Sequence, residues 1–209
     1  MVYRQTDRTI ARLLDKREQL LKAARGLVAE GGWKAAQVSA VARKAEVATG
    51  SFYRHWPGKA ALFAEIVEMV SAREVAIVAS IADDDDEPRR KLETAIRTFA
   101  LRALKGRRLA YAVIVEPVDP EVEKVRLDYR AQLAACLARI LREGADAGAF
   151  SSRLEPAIAA ACIVGAFMEA LVGPLALTSD EDGRTDEELV AHLVEFCLGA
   201  SIGAWREGA

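Results

Sequence analysis

The sequence predicts an all-α protein of about nine helices, and three observations predict it. Apolar residues recur at helical spacing nearly from end to end. No stretch of period two is long enough to make a convincing strand, and β-branched runs are few. The six prolines and the Gly31-Gly32 pair mostly fall between the periodic stretches, where helix stops belong.

The first helix covers about Arg8 to Glu30, with Leu13, Leu14, Leu20, Leu21, Ala24, Leu27 and Val28 as its apolar stripe. Gly31 and Gly32 end it, and Trp33 packs back on the core. A second, short helix runs from about Val38 to Lys44 and a third from about Thr49 to Trp56. A fourth runs from about Gly58 to Ile81, with Leu62, Phe63, Ile66, Val67 and Val70 on one side. The acidic run Asp83–Asp86 and Pro88 break it, as a solvated hinge. Further helices lie near Arg89–Lys105, Arg107–Glu116, Pro120–Ala147, Glu155–Leu177 and Asp186–Trp205. Gly144 and Gly148 end the long central one, and Asp180 to Gly183 is a polar loop.

With 209 residues, 52% of them apolar and 29% charged, the chain has a soluble composition and can bury a substantial core. No uninterrupted apolar stretch reaches the roughly 18 to 20 residues of a bilayer span. The longest candidate, Pro156 to Leu177, carries Glu169 and Pro174. Arg4, Asp7, Arg8 and Arg12 precede any apolar run, so the N-terminus does not read as a secretory signal. A cytoplasmic protein without a membrane partner is expected. Cys136, Cys162 and Cys197 lack metal-ligand spacing and read as small buried hydrophobes. His55 and His192 are the only histidines, and no HxH, HExxH or Cys–His spacing accompanies them. Neither a catalytic set nor a metal site nor a cofactor is expected, which argues against an enzyme and leaves one that uses the helical body as its active site as the weaker alternative.

The net charge of −2 hides an asymmetry. Residues 1–60 hold 12 Lys and Arg against 5 Asp and Glu, a balance of +7, and the remainder carries −9. A basic module on an acidic body points to a polyanion at the first part. That module reads as a helix-turn-helix. Val38, Val41 and Ala42 can pack the first short helix behind the second, and Ala45-Glu46-Val47 is a tight connection. Gly50 leaves room for close approach. Thr49, Ser51, Tyr53, Arg54 and His55 offer donors, and Lys59 opens the next helix near a passing phosphate. Gln37 and Ser39 at the preceding helix start and Arg8 in the first helix complete the candidate DNA contacts.

Residues 17–63 resemble the DNA-binding domain of the TetR family of bacterial transcriptional regulators. The matching stretches are Glu30-Gly31-Gly32-Trp33, then Val41-Ala42 with Ala45 and Val47, and above all the run from Gly50 through Tyr53 and Trp56 to Leu62. The chain departs from the family pattern at Glu46, where a glycine is usual, and at Ala48, where a capping serine is usual. The resemblance implies an all-helical homodimer. Residues 1–57 would form the helix-turn-helix domain and 58–209 a helical ligand-binding and dimerisation domain. It also implies a sequence-specific regulator: a repressor, or alternatively an activator or corepressor-dependent regulator, on a palindromic double-stranded operator.

The body gives weaker signals. Phe99, Tyr111, Glu116, Tyr129, Cys162, Phe167 and Glu169 are candidates for lining an effector cavity, with Arg102, Arg126 and Arg130 as counter-charges. The mixture suits a largely apolar small molecule. The last two helices are apolar on more than one face, so Ile163, Phe167, Leu171, Leu193, Phe196 and Trp205 are candidates for a four-helix dimer interface.

Overall fold

A computed structural model describes residues 7–176 and 185–202, with side chains from Leu13 onward. The described residues form nine helices: α1 (Asp7–Gly31), α2 (Val38–Lys44), α3 (Thr49–Phe52), α4 (Lys59–Ala82), α5 (Pro88–Lys105), α6 (Arg107–Ile114), α7 (Pro120–Asp146), α8 (Pro156–Leu175) and α9 (Asp186–Ile202). Prolines open α5, α7 and α8, where the missing N–H costs no helical bond. Glu155 caps α8, its carboxylate accepting from the Ala157 and Ile158 amides at 3.1 and 2.8 Å. Those two bonds, Ile158 first, hold its pKa below the usual value.

Three expected elements differ. The third helix stops at Phe52, because His55 and Arg54 donate back to Phe52 and Ser51 in three-residue turns. The sixth ends at Ile114, so Glu116 leaves the helix and stands before Pro117. Gly144 lies inside α7, and a Cβ there would meet the Phe150 ring at 2.1 Å; Gly148, at φ 73°, makes the turn that follows. Leu14, assigned to the apolar stripe of the first helix, is exposed because the stripe turns through Leu20, Ala24 and Val28.

Two apolar clusters organise these helices. One joins α1–α3 and the start of α4 around Leu20, Val28, Phe52, Trp56 and Leu62, and it also takes Ala112, Val113 and Val122 from α6 and α7. The other fills the body between α5, α7, α8 and α9 around Leu92, Ile96, Leu137, Phe167 and Leu171. α4 runs through both, with Leu62 to Val67 in the first and Val78 and Ala82 in the second. Its most extensive partner is α7. α8 is long and apolar enough to cross a bilayer, with a mean hydropathy of 2.0, yet it packs on α5, α6, α7 and α9 as a bundle helix.

Candidate nucleic-acid interface and body cavity

Buried anchors fix the attitude of the α2–α3 pair. Val41 and Ala42 hold α2, and Phe52 holds α3, all within the N-terminal cluster. The Val47 amide donates to Ala42 O at 3.0 Å, closing the turn. That turn puts Glu46 at φ 55°, the left-handed region that favours glycine. Ala48 stands at the N-cap of α3 without a side-chain hydrogen bond.

The anchors leave a polar face outward. Gln37, Ser39, Thr49, Gly50, Tyr53 and Arg54 are exposed, and Ser51, His55 and Lys59 are half-buried beside them. Tyr53 is 59% exposed while its ring packs edge-on against Phe52. Lys59 sets its ammonium 5.5 Å from the Phe63 ring centre. Arg43 and Arg54 make no salt bridge among the described residues, so both remain available to an anion. His55 Nε2 is shielded and has no hydrogen-bond partner among the described residues. Burial first, then the charges of Arg17 and Arg54, lower the His55 pKa. Arg8 lies in α1 with its side chain outside the described set, as does that of Arg12; Arg4 lies outside the described residues.

One positioning group has no signal in the sequence. Glu65 of α4 accepts from Arg17 of α1 at 2.7 Å and from the Trp56 indole at 2.6 Å, with the Arg17 guanidinium 5.2 Å from the Trp56 ring. The trio locks the segment after α3 to its two neighbouring helices. Its members are 9 and 48 residues apart, which no local pattern connects.

A second constellation joins the N-terminal module to α6. The Trp33 indole donates to Ala112 O at 2.8 Å, and the Trp33 amide to Glu116 Oε2 at 3.2 Å. Arg108 donates to Gly31 O at 3.1 Å. Gly32 sits at φ +68°, the left-handed region that favours glycine, and a Cβ there would also displace the Arg108 and Glu116 side-chain ends. From the other side Arg126 donates to the same Ala112 carbonyl at 2.6 Å and to Glu116 O at 2.7 Å. Glu116, expected to face a ligand, is therefore a bracket between module and body.

A cavity of about 250 Å³ lies between α4, α5, α6 and α7. Phe99 and Tyr129 line it, as do Met168 and, without having been singled out in the sequence, Met69 and Val113. Burial raises the Tyr129 pKa, with Glu68 adding to the rise. Tyr111, Glu116, Cys162, Phe167 and Glu169 do not line this cavity. Phe167 is buried behind Phe99, their ring centres 4.9 Å apart. Tyr111 lies under Arg108. Cys162 is exposed on the outer stripe of α8, and Glu169 borders a separate groove of about 560 Å³. The groove and the cavity share Ile114, Arg126, Arg130 and Met168 as walls.

The expected interface residues divide. Ile163, Phe167, Leu171 and Leu193 are buried in the chain's own core. Phe196 is 63% exposed, and Trp205 lies outside the described residues. Ile158, Ala161, Cys162 and Gly165 of α8, with Phe196, Gly199 and Ile202 of α9, form the exposed small and apolar stripe instead.

Comparison with known proteins follows the same division of the chain. Residues 20–66 match the family described as "Bacterial regulatory proteins, tetR family", and residues 85–171 match "Tetracyclin repressor-like, C-terminal domain". A Bacillus subtilis (strain 168) protein, the uncharacterized HTH-type transcriptional regulator YdgC, is 27% identical over 196 residues, covering 88% of this chain and 92% of YdgC. The fold is shared with the fatty acid degradation regulator FadR of Bacillus halodurans at a TM-score of 0.74 and 23% identity, over 91% of this chain and 96% of that one. It is shared equally with FadR of Bacillus subtilis, whose structure is a complex with stearoyl-CoA, at a TM-score of 0.74 and 20% identity, over 91% of this chain and all (100%) of that one.

Proposed function

The chain belongs to the tetR family of bacterial regulatory proteins and is a DNA-binding transcriptional regulator; from that premise we propose that it works as a homodimeric repressor, released from a palindromic operator by a small, largely apolar molecule. The observation that carries the reading is the outward polar face of α2 and α3, held by Phe52, Val41 and the Glu65 trio on the one strongly basic part of the chain. Two such faces in a dimer would enter successive major grooves about 34–36 Å apart. Thr49 and Ser51 would meet base edges, and Tyr53, Arg54 and Lys59 the phosphates on either side.

The exposed stripe of α8 and α9 supports the dimer, because small residues on two neighbouring helices admit close approach of a symmetry copy. The body cavity supports the effector, and the stearoyl-CoA complex of FadR is a precedent for a ligand carrying a hydrocarbon chain on this fold. α4, continuous through both clusters, would carry a change in the body to the reading helices. The proposed place of action is the cytoplasm, where operator DNA is met.

Fluorescence anisotropy with the palindrome nearest the protein's own gene, against a scrambled duplex, tests the reading. The expected result is preference for the palindrome and a loss of affinity of about a thousandfold or more between 50 and 200 mM salt if six or more phosphates are contacted. Equal binding of both duplexes with no salt dependence would reject it.

A further inference from the structure

Apolar residues wall most of the body cavity, among them Phe99, Leu133 and Met168, yet its lining also holds more arginine than carboxylate. Arg25, Arg73, Arg102, Arg126 and Arg130 line it, and Glu74 is the one acid among the lining residues. Glu74 is already spent, accepting two 2.7 Å bonds from Arg102. Arg25 and Arg73 are exposed, so water screens them. The two charges that matter are therefore on α7, one turn apart.

Arg126 is 6% exposed. It donates to Glu123 at 3.1 Å and to the Ala112 and Glu116 carbonyls, and its shielded Nε has no partner among the described residues. Arg130 is half-buried, donates to Ile114 O at 3.2 Å, and makes no salt bridge among the described residues. A buried guanidinium with an open donor is costly, and an oxyanion is the group that repairs the cost. Burial also lowers the Arg126 pKa, the same unmet need seen from the proton's side. A cationic ligand would meet repulsion, and a neutral one would leave the donors unanswered.

Position sets the orientation. Arg126 and Arg130, with Ile114 and Met168, are shared by the cavity and the groove that runs beside α8. A head at that junction meets Arg130 and the open Nε of Arg126, whose Nη1 is held by Glu123, with the Glu169 carboxylate farther along the groove, while an apolar body fills the cavity. At about 250 Å³ the cavity falls just under the usual range of roughly 300–1,000 Å³ for ligand pockets, so the body is small.

We propose that the cavity takes a small hydrocarbon body bearing a single oxyanion, with Arg126 and Arg130 as the residues that select the charged head. The proposal rests on the reading of this cavity as the effector site. Isothermal titration of octanoate, 1-octanol and octylamine into the full chain tests it, with octyl phosphate distinguishing a carboxylate head from a phosphate one. Octanoate or octyl phosphate is expected to bind about tenfold or more tightly than octanol, and octylamine more weakly still. R130Q is expected to erase the preference, octanoate falling to about the affinity of octanol in the same variant, and R130K to restore most of it. Far-UV circular dichroism shows that both variants are folded.

Equal binding of acid and alcohol, a preference untouched by R130Q in a folded protein, or no binding of any of the four probes overturns the proposal. Operator binding is followed separately by anisotropy. An acid that binds in the R130-dependent way but leaves the DNA complex intact sinks the release reading and keeps the head-group assignment. Release of DNA by acid and alcohol alike does the reverse.

Discussion

A Cβ at Gly50 would meet nothing within 4 Å of the rest of the chain. The fold does not need a glycine there, and a glycine inside α3 costs about 0.5–1 kcal/mol relative to alanine. G50A is therefore expected to raise stability by that amount in denaturant melts and to weaken operator binding in anisotropy, because its methyl group stands where DNA approaches. Unchanged affinity would remove Gly50 from the interface. Glu46 carries the opposite burden: at φ 55° its side chain strains the turn. E46G is expected to stabilise the protein by up to about 1 kcal/mol, the left-handed cost less the glycine entropy, and to tighten DNA binding by removing a carboxylate from a basic face. His55 makes the module sensitive to acid. Its folded pKa lies below 6.5, so the unfolded chain takes up the proton first. Stability is full above that value and falls as pH drops from 6.5 toward the folded pKa. H55Q should flatten this part of the curve, and a pH-independent melting temperature in the parent would contradict the assignment.

At the scale of elements, α6 carries the junction. Glu116 holds the Trp33 amide and faces Arg108, and Ala112 O receives both Trp33 and Arg126. E116A leaves the Trp33 amide without its acceptor and Arg108 with the Gly31 carbonyl alone, and should cost about 1–3 kcal/mol. Faster hydrogen exchange in the α1–α2 connection should accompany that loss. Identical exchange in parent and variant would show that the bracket is incidental. Most helices were legible because their apolar residues repeat at 3.6. The end of α3 was not, since Tyr53 to Trp56 continue a helical pattern while the backbone at Arg54 and His55 tightens into three-residue turns. α8 defeated the pattern differently. It is apolar all round, so nothing in its sequence tells Phe167 and Leu171, which face the core, from Ile158 and Cys162, which face out. The cavity was half legible: Phe99 and Tyr129 are aromatic in apolar helices, but Met69 joins them only through the packing of α4 on α7.

For the whole molecule, the charge split and the outer stripe belong to one design. A module of +7 meets the polyanion, and a body of −9 does not compete for it. Phe196 is mostly exposed, so F196E should leave the fold intact while converting a dimer to a monomer in light scattering. Operator affinity should fall with it, as the second half-site is lost. A dimer that survives F196E would place the interface elsewhere. The central claim, that the α2–α3 face reads DNA, is tested most directly by titrating Thr49→Ala, Ser51→Ala, Tyr53→Ala and Lys59→Ala against the operator and a panel of single-base variants over a range of salt. Y53A and K59A are expected to weaken binding to every sequence, K59A lowering the salt slope by about 1, whereas T49A and S51A change which operator is preferred. Four variants that bind like the parent would contradict the claim.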